Sequence, residues 1–125
     1  SHYYAIKVGS GSVNIAGNGA TNIAHGLGRI PKIVTMTATT STSIADTGDG
    51  TNVTIYFNGT TQSWIGLIST GAATSGFLSG TGAVDMTVGG TKQHDLLISA
   101  NATNIILTAG NYAAQETVYY LWMVE

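Results

Sequence analysis

Apolar and polar side chains alternate with a period of two along much of this chain, and no stretch carries the 3.6-residue period of a helix. The run from Asn52 to Asn58 is the cleanest: Val53, Ile55 and Phe57 fall on one side, Thr54, Tyr56 and Asn58 on the other. That pattern predicts a strand buried on one face. Similar runs predict strands over Tyr3–Val8, Ser12–Ala16, Lys32–Ala38, Ser63–Thr70, Ala83–Val88, Asp95–Ser99, Asn104–Ala109 and Thr117–Val124. Between them, Gly9-Ser10-Gly11, Asn58-Gly59, Gly89-Gly90 and Ala100-Asn101-Ala102 carry turn chemistry. Residues 39–50, 71–82 and 110–116 read as longer loops. Turn signals at intervals of about 8–12 residues are those of an antiparallel sandwich or barrel. The expected fold is all-β, a single small antiparallel β-sandwich domain over residues 1–125.

Two strands depart from one-sided alternation. Val118, Tyr120, Trp122 and Val124 share one face of the last strand, and Tyr119, Leu121 and Met123 occupy the other. Trp64 and Ile68 likewise lie opposite Ile65 and Leu67. An antiparallel sheet with a wet outer face alternates, so strands apolar on both faces need cover on both. A homo-oligomer supplies it, because subunit contacts resemble a core cut in half. Trp64, Ile68, Tyr120 and Trp122 are the expected interface residues, and a homotrimer the expected assembly.

Composition narrows the function classes. Only 8% of residues are charged, net charge is -2, and 17 are glycine; the usual charged fraction is roughly 25%. Thr, Ser, Asn and Ala stand in their place, which fits a robust exterior surface module. The four cations Lys7, Arg29, Lys32 and Lys92 are too few for a nucleic-acid footprint. No apolar run approaches the ~20 residues of a membrane helix, so no membrane insertion is expected. Absence of cysteine excludes disulfides and thiolate metal sites. Ser1-His2 reads as an appended expression scar, so His2 carries no weight.

The segment Asn22–Val34 contains the only proline, in His25-Gly26-Leu27-Gly28-Arg29-Ile30-Pro31. Two glycines allow sharp turning, and Pro31 biases Ile30 toward an extended conformation that leads into a strand. This His-Gly-Leu-Gly-Arg-x-Pro turn before Lys-Ile-Val resembles a pattern of phage tail and fibre tip domains. It is also similar to the H-type lectin fold, a small antiparallel β-sandwich that forms trimers. The resemblance rests on Ile23, His25 to Arg29, Pro31 and Val34, together with the closing Tyr119-Tyr120-Leu121-Trp122, and its specific motif covers about a tenth of the chain. No local motif matches the sugar-binding residues of those lectins. The resemblance implies a trimeric head domain on a virion surface.

Candidate chemistry is sparse. His25 reads better as a turn residue bonded to neighbouring backbone than as a ligand or base. Lys92-Gln93-His94-Asp95 reads as a solvated hairpin segment. Asp46-Thr47-Gly48-Asp49-Gly50 faintly resembles an oxygen-rich calcium loop, but lacks the alternating acidic positions of an EF-hand; Asx turns account for both aspartates. Gly-x-Ser-x-Gly and phosphate-cradling loops are absent, and the carboxylates fall mostly in separate hairpins. Neither an enzyme, a metal nor a cofactor is expected. Counting strand reversals puts loops 39–50, 71–82 and 100–103 at one end, and the His25 turn, Asn58-Gly59, 89–94 and 110–116 at the other with the N-terminus. Asp46, Asp49, Phe77 and Asn101 are thereby the expected ligand contacts, suited to a host polysaccharide or surface protein. The expected function is multivalent, non-covalent host attachment by a phage-type fibre or spike head. A virion decoration module without receptor binding and a cellular H-type-like lectin are the alternatives.

Overall fold

The computed structural model describes residues 5–40, 50–69 and 76–125. Ten strands run β1 (Lys7–Ile15), β2 (Gly19–Ala24), β3 (Val34–Thr39), β4 (Thr51–Phe57), β5 (Gln62–Ile68), β6 (Gly76–Thr81), β7 (Val84–Val88), β8 (Thr91–Ala100), β9 (Asn104–Gly110) and β10 (Glu116–Val124). They form two antiparallel sheets, one six-stranded in the order β1-β10-β3-β4-β5-β6, the other four-stranded in the order β2-β9-β8-β7. The all-β, two-sheet architecture expected from the alternation is present. Among the described residues there is no helix.

Alternation explains which faces meet. Val34, Met36 and Ala38 of β3, Val53 and Ile55 of β4, and Val118 and Val124 of β10 point inward. Opposite them in the same core stand Val84 and Met86 of β7, Leu96 and Ile98 of β8, and Ile105 and Leu107 of β9. Polar ties also cross between the sheets. The buried Thr51 hydroxyl donates to the Asp85 carbonyl at 2.8 Å and accepts the Thr87 N–H at 2.8 Å. Gln62 does more: pairing of β7 with β8 begins at Val84–Leu96, and beyond it the Gln62 amide continues the ladder along β8. Its Oε1 accepts the Ile98 N–H at 2.6 Å, while its Nε2 donates to the Leu96 carbonyl at 3.1 Å and the Gly82 carbonyl at 2.9 Å.

Three expectations require correction. Gly9-Ser10-Gly11 is not a turn; β1 runs unbroken through it. Gly9 lies across from Trp122 and Gly11 across from Tyr120. A Cβ on Gly9 would sit 2.3 Å from the Trp122 ring, and one on Gly11 2.7 Å from the Tyr120 hydroxyl. These glycines clear space for cross-strand rings rather than bend the chain. Gly80 does the same for Trp64.

Second, 71–82 is not wholly loop, because Gly76–Thr81 forms β6 against β5. That added strand reverses the direction of every later one relative to the expected count. Residues 101–103 consequently lie at the end shared by the His25 turn and the start of β1, whereas 89–90 and 111–115 lie at the opposite end, with the end of β3, the start of β4, the end of β5 and the start of β6. Third, the four residues expected at an interface face inward. Ile68 and Trp122 are 3% and 9% exposed, and half-buried Trp64 and Tyr120 pack on the same core. Two-sided hydrophobicity is real, but the faces are exchanged: Ile65, Leu67, Tyr119, Leu121 and Met123 are the exposed set.

Candidate functional site

The segment from β2 to β3 is built as its residues predict. Gly26 and Gly28 have φ of 70° and 79°, the left-handed region that favours glycine. Pro31 is buried three residues before β3, and the chain is held there by Lys32 and Ile33 N–H groups on the Glu125 carbonyl at 2.7 and 3.1 Å. Buried His25 is fully occupied. Its Nδ1 accepts the Leu27 N–H at 3.0 Å, which leaves Nε2 protonated to donate to the Asn101 carbonyl at 2.9 Å. Its backbone N–H donates to the Thr103 carbonyl at 3.1 Å. His25 therefore rivets the turn to the β8–β9 connection. Exchange of His25 for alanine orphans the Leu27 N–H and the Asn101 carbonyl, and should cost about 1–3 kcal/mol in a urea titration.

Asn101 is part of the same rivet. Its side-chain oxygen accepts N–H groups of Thr103 and Asn104 at 3.0 and 2.7 Å and the Thr103 hydroxyl at 3.1 Å, closing the turn. It stands at the His25 end of the sandwich. Asp46 and Asp49, with the calcium-like segment, lie outside the described residues. The Phe77 backbone pairs with Leu67 on β6; its side chain lies outside the described residues.

The segment 92–95 is not a solvated hairpin. His94 is completely buried, and its Nε2 forms an ion pair with the buried carboxylate of Glu116 at the start of β10. Nδ1 donates to the Asp95 carbonyl at 3.0 Å. Burial pushes the imidazole toward its neutral form, but the Glu116 carboxylate and the Asp95 carbonyl outweigh it and hold the pKa above the usual 6.5. Sequence reasoning missed this pair, whose members are 22 positions apart and on different sheets. The only hint was that His94 shares strand parity with Leu96 and Ile98.

Nearby, Lys92 Nζ lies 2.6 Å from Asp95 and 3.3 Å from Asp85, and Asn111 Nδ2 donates to Asp95 at 2.5 Å. Partial burial would raise the Asp95 pKa, but the Lys92 and Asn111 bonds reverse that and keep it below the ordinary carboxylate range. One lysine between two carboxylates, with the Asn111 amide, clamps β7, β8 and the connection to β10. Among the described residues no group of three or more His, Asp or Glu side chains could hold a metal ion.

A shallow trough of about 470 Å³ lies on the outer face of the six-stranded sheet, between Tyr119 and Leu121 on one side and Thr37, Thr39 and Asn52 on the other. The fold and these features define a small two-sheet antiparallel sandwich. Comparison with protein-family models, curated proteins and solved structures gives no match.

Proposed function

We propose that this sandwich is the head of a trimeric viral fibre or spike of the phage type, with an H-type lectin-like fold, and that it binds a host surface by multivalent contact at the virion exterior. The observation that carries the reading is polarity. The strand ends that the segments 40–50 and 69–75 join lie opposite the first residue of β1 and opposite the His25 turn that resembles fibre tip domains. Loops on a rigid scaffold are where recognition residues concentrate, and three linked copies convert a weak site into a strong attachment. Serine and threonine hydroxyls, with the carboxylates of Asp46 and Asp49, are the polar side chains of these connections, chemistry suited to a polysaccharide or a polar protein surface.

Alanine replacement of Asp46, Asp49 and Phe77 together should lower retention of the domain on susceptible bacterial cells at least about tenfold, since loss of each weak contact is multiplied across copies. The Asn101→Ala variant should lower stability and leave retention unchanged, because Asn101 closes a turn at the other end. Full retention by the folded triple variant overturns the assignment of the tip and leaves virion decoration as the role.

A further inference from the structure

We infer that the outer face of the six-stranded sheet is the surface on which copies of this chain pack against one another. The inference gives a place to the association proposed above and rests on that proposal only for the number of copies.

Among the described residues the face carries no charged side chain. At the outward positions of β1, β10, β3, β4, β5 and β6 stand only aliphatic, aromatic, hydroxyl and amide residues. The charges of the described residues lie elsewhere: Lys7, Arg29, Lys32 and Glu125 at the end bearing the His25 turn, Asp85, Lys92 and Asp95 in the four-stranded sheet, and Glu116 buried; Asp46 and Asp49 lie outside the described residues. Depletion of charge together with Tyr, Met and branched aliphatics is the composition of an interface core. A surface of one sign would repel its own copy, whereas this one meets a copy with no charge to desolvate.

Size and relief point to the same occupant. Six strands about 4.8 Å apart and about seven residues long, at roughly 3.3 Å per residue, span roughly 650 Å² in projection. The accessible surface of a pleated, side-chain-bearing face exceeds its projection, so it reaches the ~800 Å² per partner of a stable interface. Leu121 is 62% exposed on β10, and Leu67 and Ile65 are 52% and 50% exposed on β5. These two strands form apolar ridges on either side of β3 and β4, which carry Thr35, Thr37, Thr39, Asn52, Thr54 and Tyr56 outward. The Thr37 and Thr54 hydroxyls lie 3.3 Å apart and satisfy one another. The trough beside Leu121 gives a ridge of another copy somewhere to sit.

Light scattering after size exclusion, over a hundredfold range of concentration, tests this with three variants. Leu121→Glu and Ile65→Glu should each convert the assembly to monomer without altering the far-ultraviolet circular dichroism of a β fold. Leu97→Glu, at an exposed site on the outside of the other sheet, should leave the mass unchanged. Because the chain has no cysteine, Ser10→Cys places a unique thiol beside the trough. It should react with a maleimide slowly in the assembly and at least tenfold faster in the Leu121→Glu background, a readout that does not depend on both glutamate variants folding. A monomeric wild type overturns the inference, as does an assembly that survives both glutamates or leaves the Ser10→Cys thiol fully reactive. A wild-type trimer lost in both variants upholds the face and the copy number. A dimer lost in both upholds the face and overturns the threefold order proposed above. A monomer retained on a neutral polysaccharide, and released by Leu121→Glu, would reassign the face to glycan.

Discussion

The Gly66→Ala variant is expected to lose about 3–5 kcal/mol of stability, the largest effect of any single methyl group in this protein. Gly66 lies mid-strand in β5, between Val53 on β4 and Leu78 on β6. Its φ is 156°, and a Cβ there would fall 2.2 Å from the Asn52 carbonyl oxygen and 2.6 Å from the Val53 Cα. Both neighbours are backbone held by the central ladder, so neither can swing aside as a side chain would. Relief requires parting β4 from β5, which breaks the six-stranded sheet near its middle. Domains of this size have about 5–15 kcal/mol in all, so the variant should show a sharply lowered urea midpoint or fail to fold. The Gly17→Ala variant is the control: nothing lies within 4 Å of its added Cβ, and its midpoint should stay within a few tenths of a kcal/mol of wild type. A Gly66→Ala protein as stable as that control would show that β4 and β5 do not pair in this register.

Glu116 gives the second large effect. Replacing it with alanine leaves the imidazole of His94 buried without its counter-charge, an arrangement that costs about 3–5 kcal/mol when one member of a buried pair is removed. The pH dependence carries a sign. In the folded protein His94 has a pKa above 6.5, whereas in the unfolded chain it lies near the ordinary value. Between these two values the folded state binds the proton and the unfolded state does not, so stability falls as pH rises. The contribution is complete below about pH 6.5 and is lost as pH climbs through the folded-state pKa. Urea titrations from mildly acidic to mildly alkaline pH should show that decline in wild type. Glu116→Gln, which keeps the volume and removes the charge, should flatten it. A wild-type stability that rises over this interval would mean that His94 is buried neutral.

Legibility in the sequence followed the physics of each signal. Alternation at Asn52–Asn58 was enough for β4, because one strand's faces depend only on its own period. His25 was read correctly as a turn residue for a similarly local reason: the flanking glycines and proline constrain the backbone over a few residues. The identity of the partner, Asn101, was not readable, since it comes from 76 positions away. Glycine was ambiguous throughout. Gly26 and Gly28 bend the chain, while Gly9 and Gly11 make room for Trp122 and Tyr120 on a neighbouring strand. Nothing within either tripeptide distinguishes freedom of φ from absence of a Cβ.

The order of residues along the chain accounts for the all-β class, for most strands, and for two strands being apolar on both sides, because side-chain alternation is a property of the isolated strand. Which of those two sides becomes core is a relation between strands. The six-stranded sheet turns Trp64, Ile68, Tyr120 and Trp122 onto its partner sheet and leaves Ile65, Leu67, Tyr119 and Leu121 outside. Pairing likewise added β6, which reversed every later strand and moved Asn101 to the end bearing the His25 turn. The burial of His94 against Glu116 is of the same kind. Each depends on free energy gained only when residues distant in the chain meet, and local sequence carries no record of that meeting.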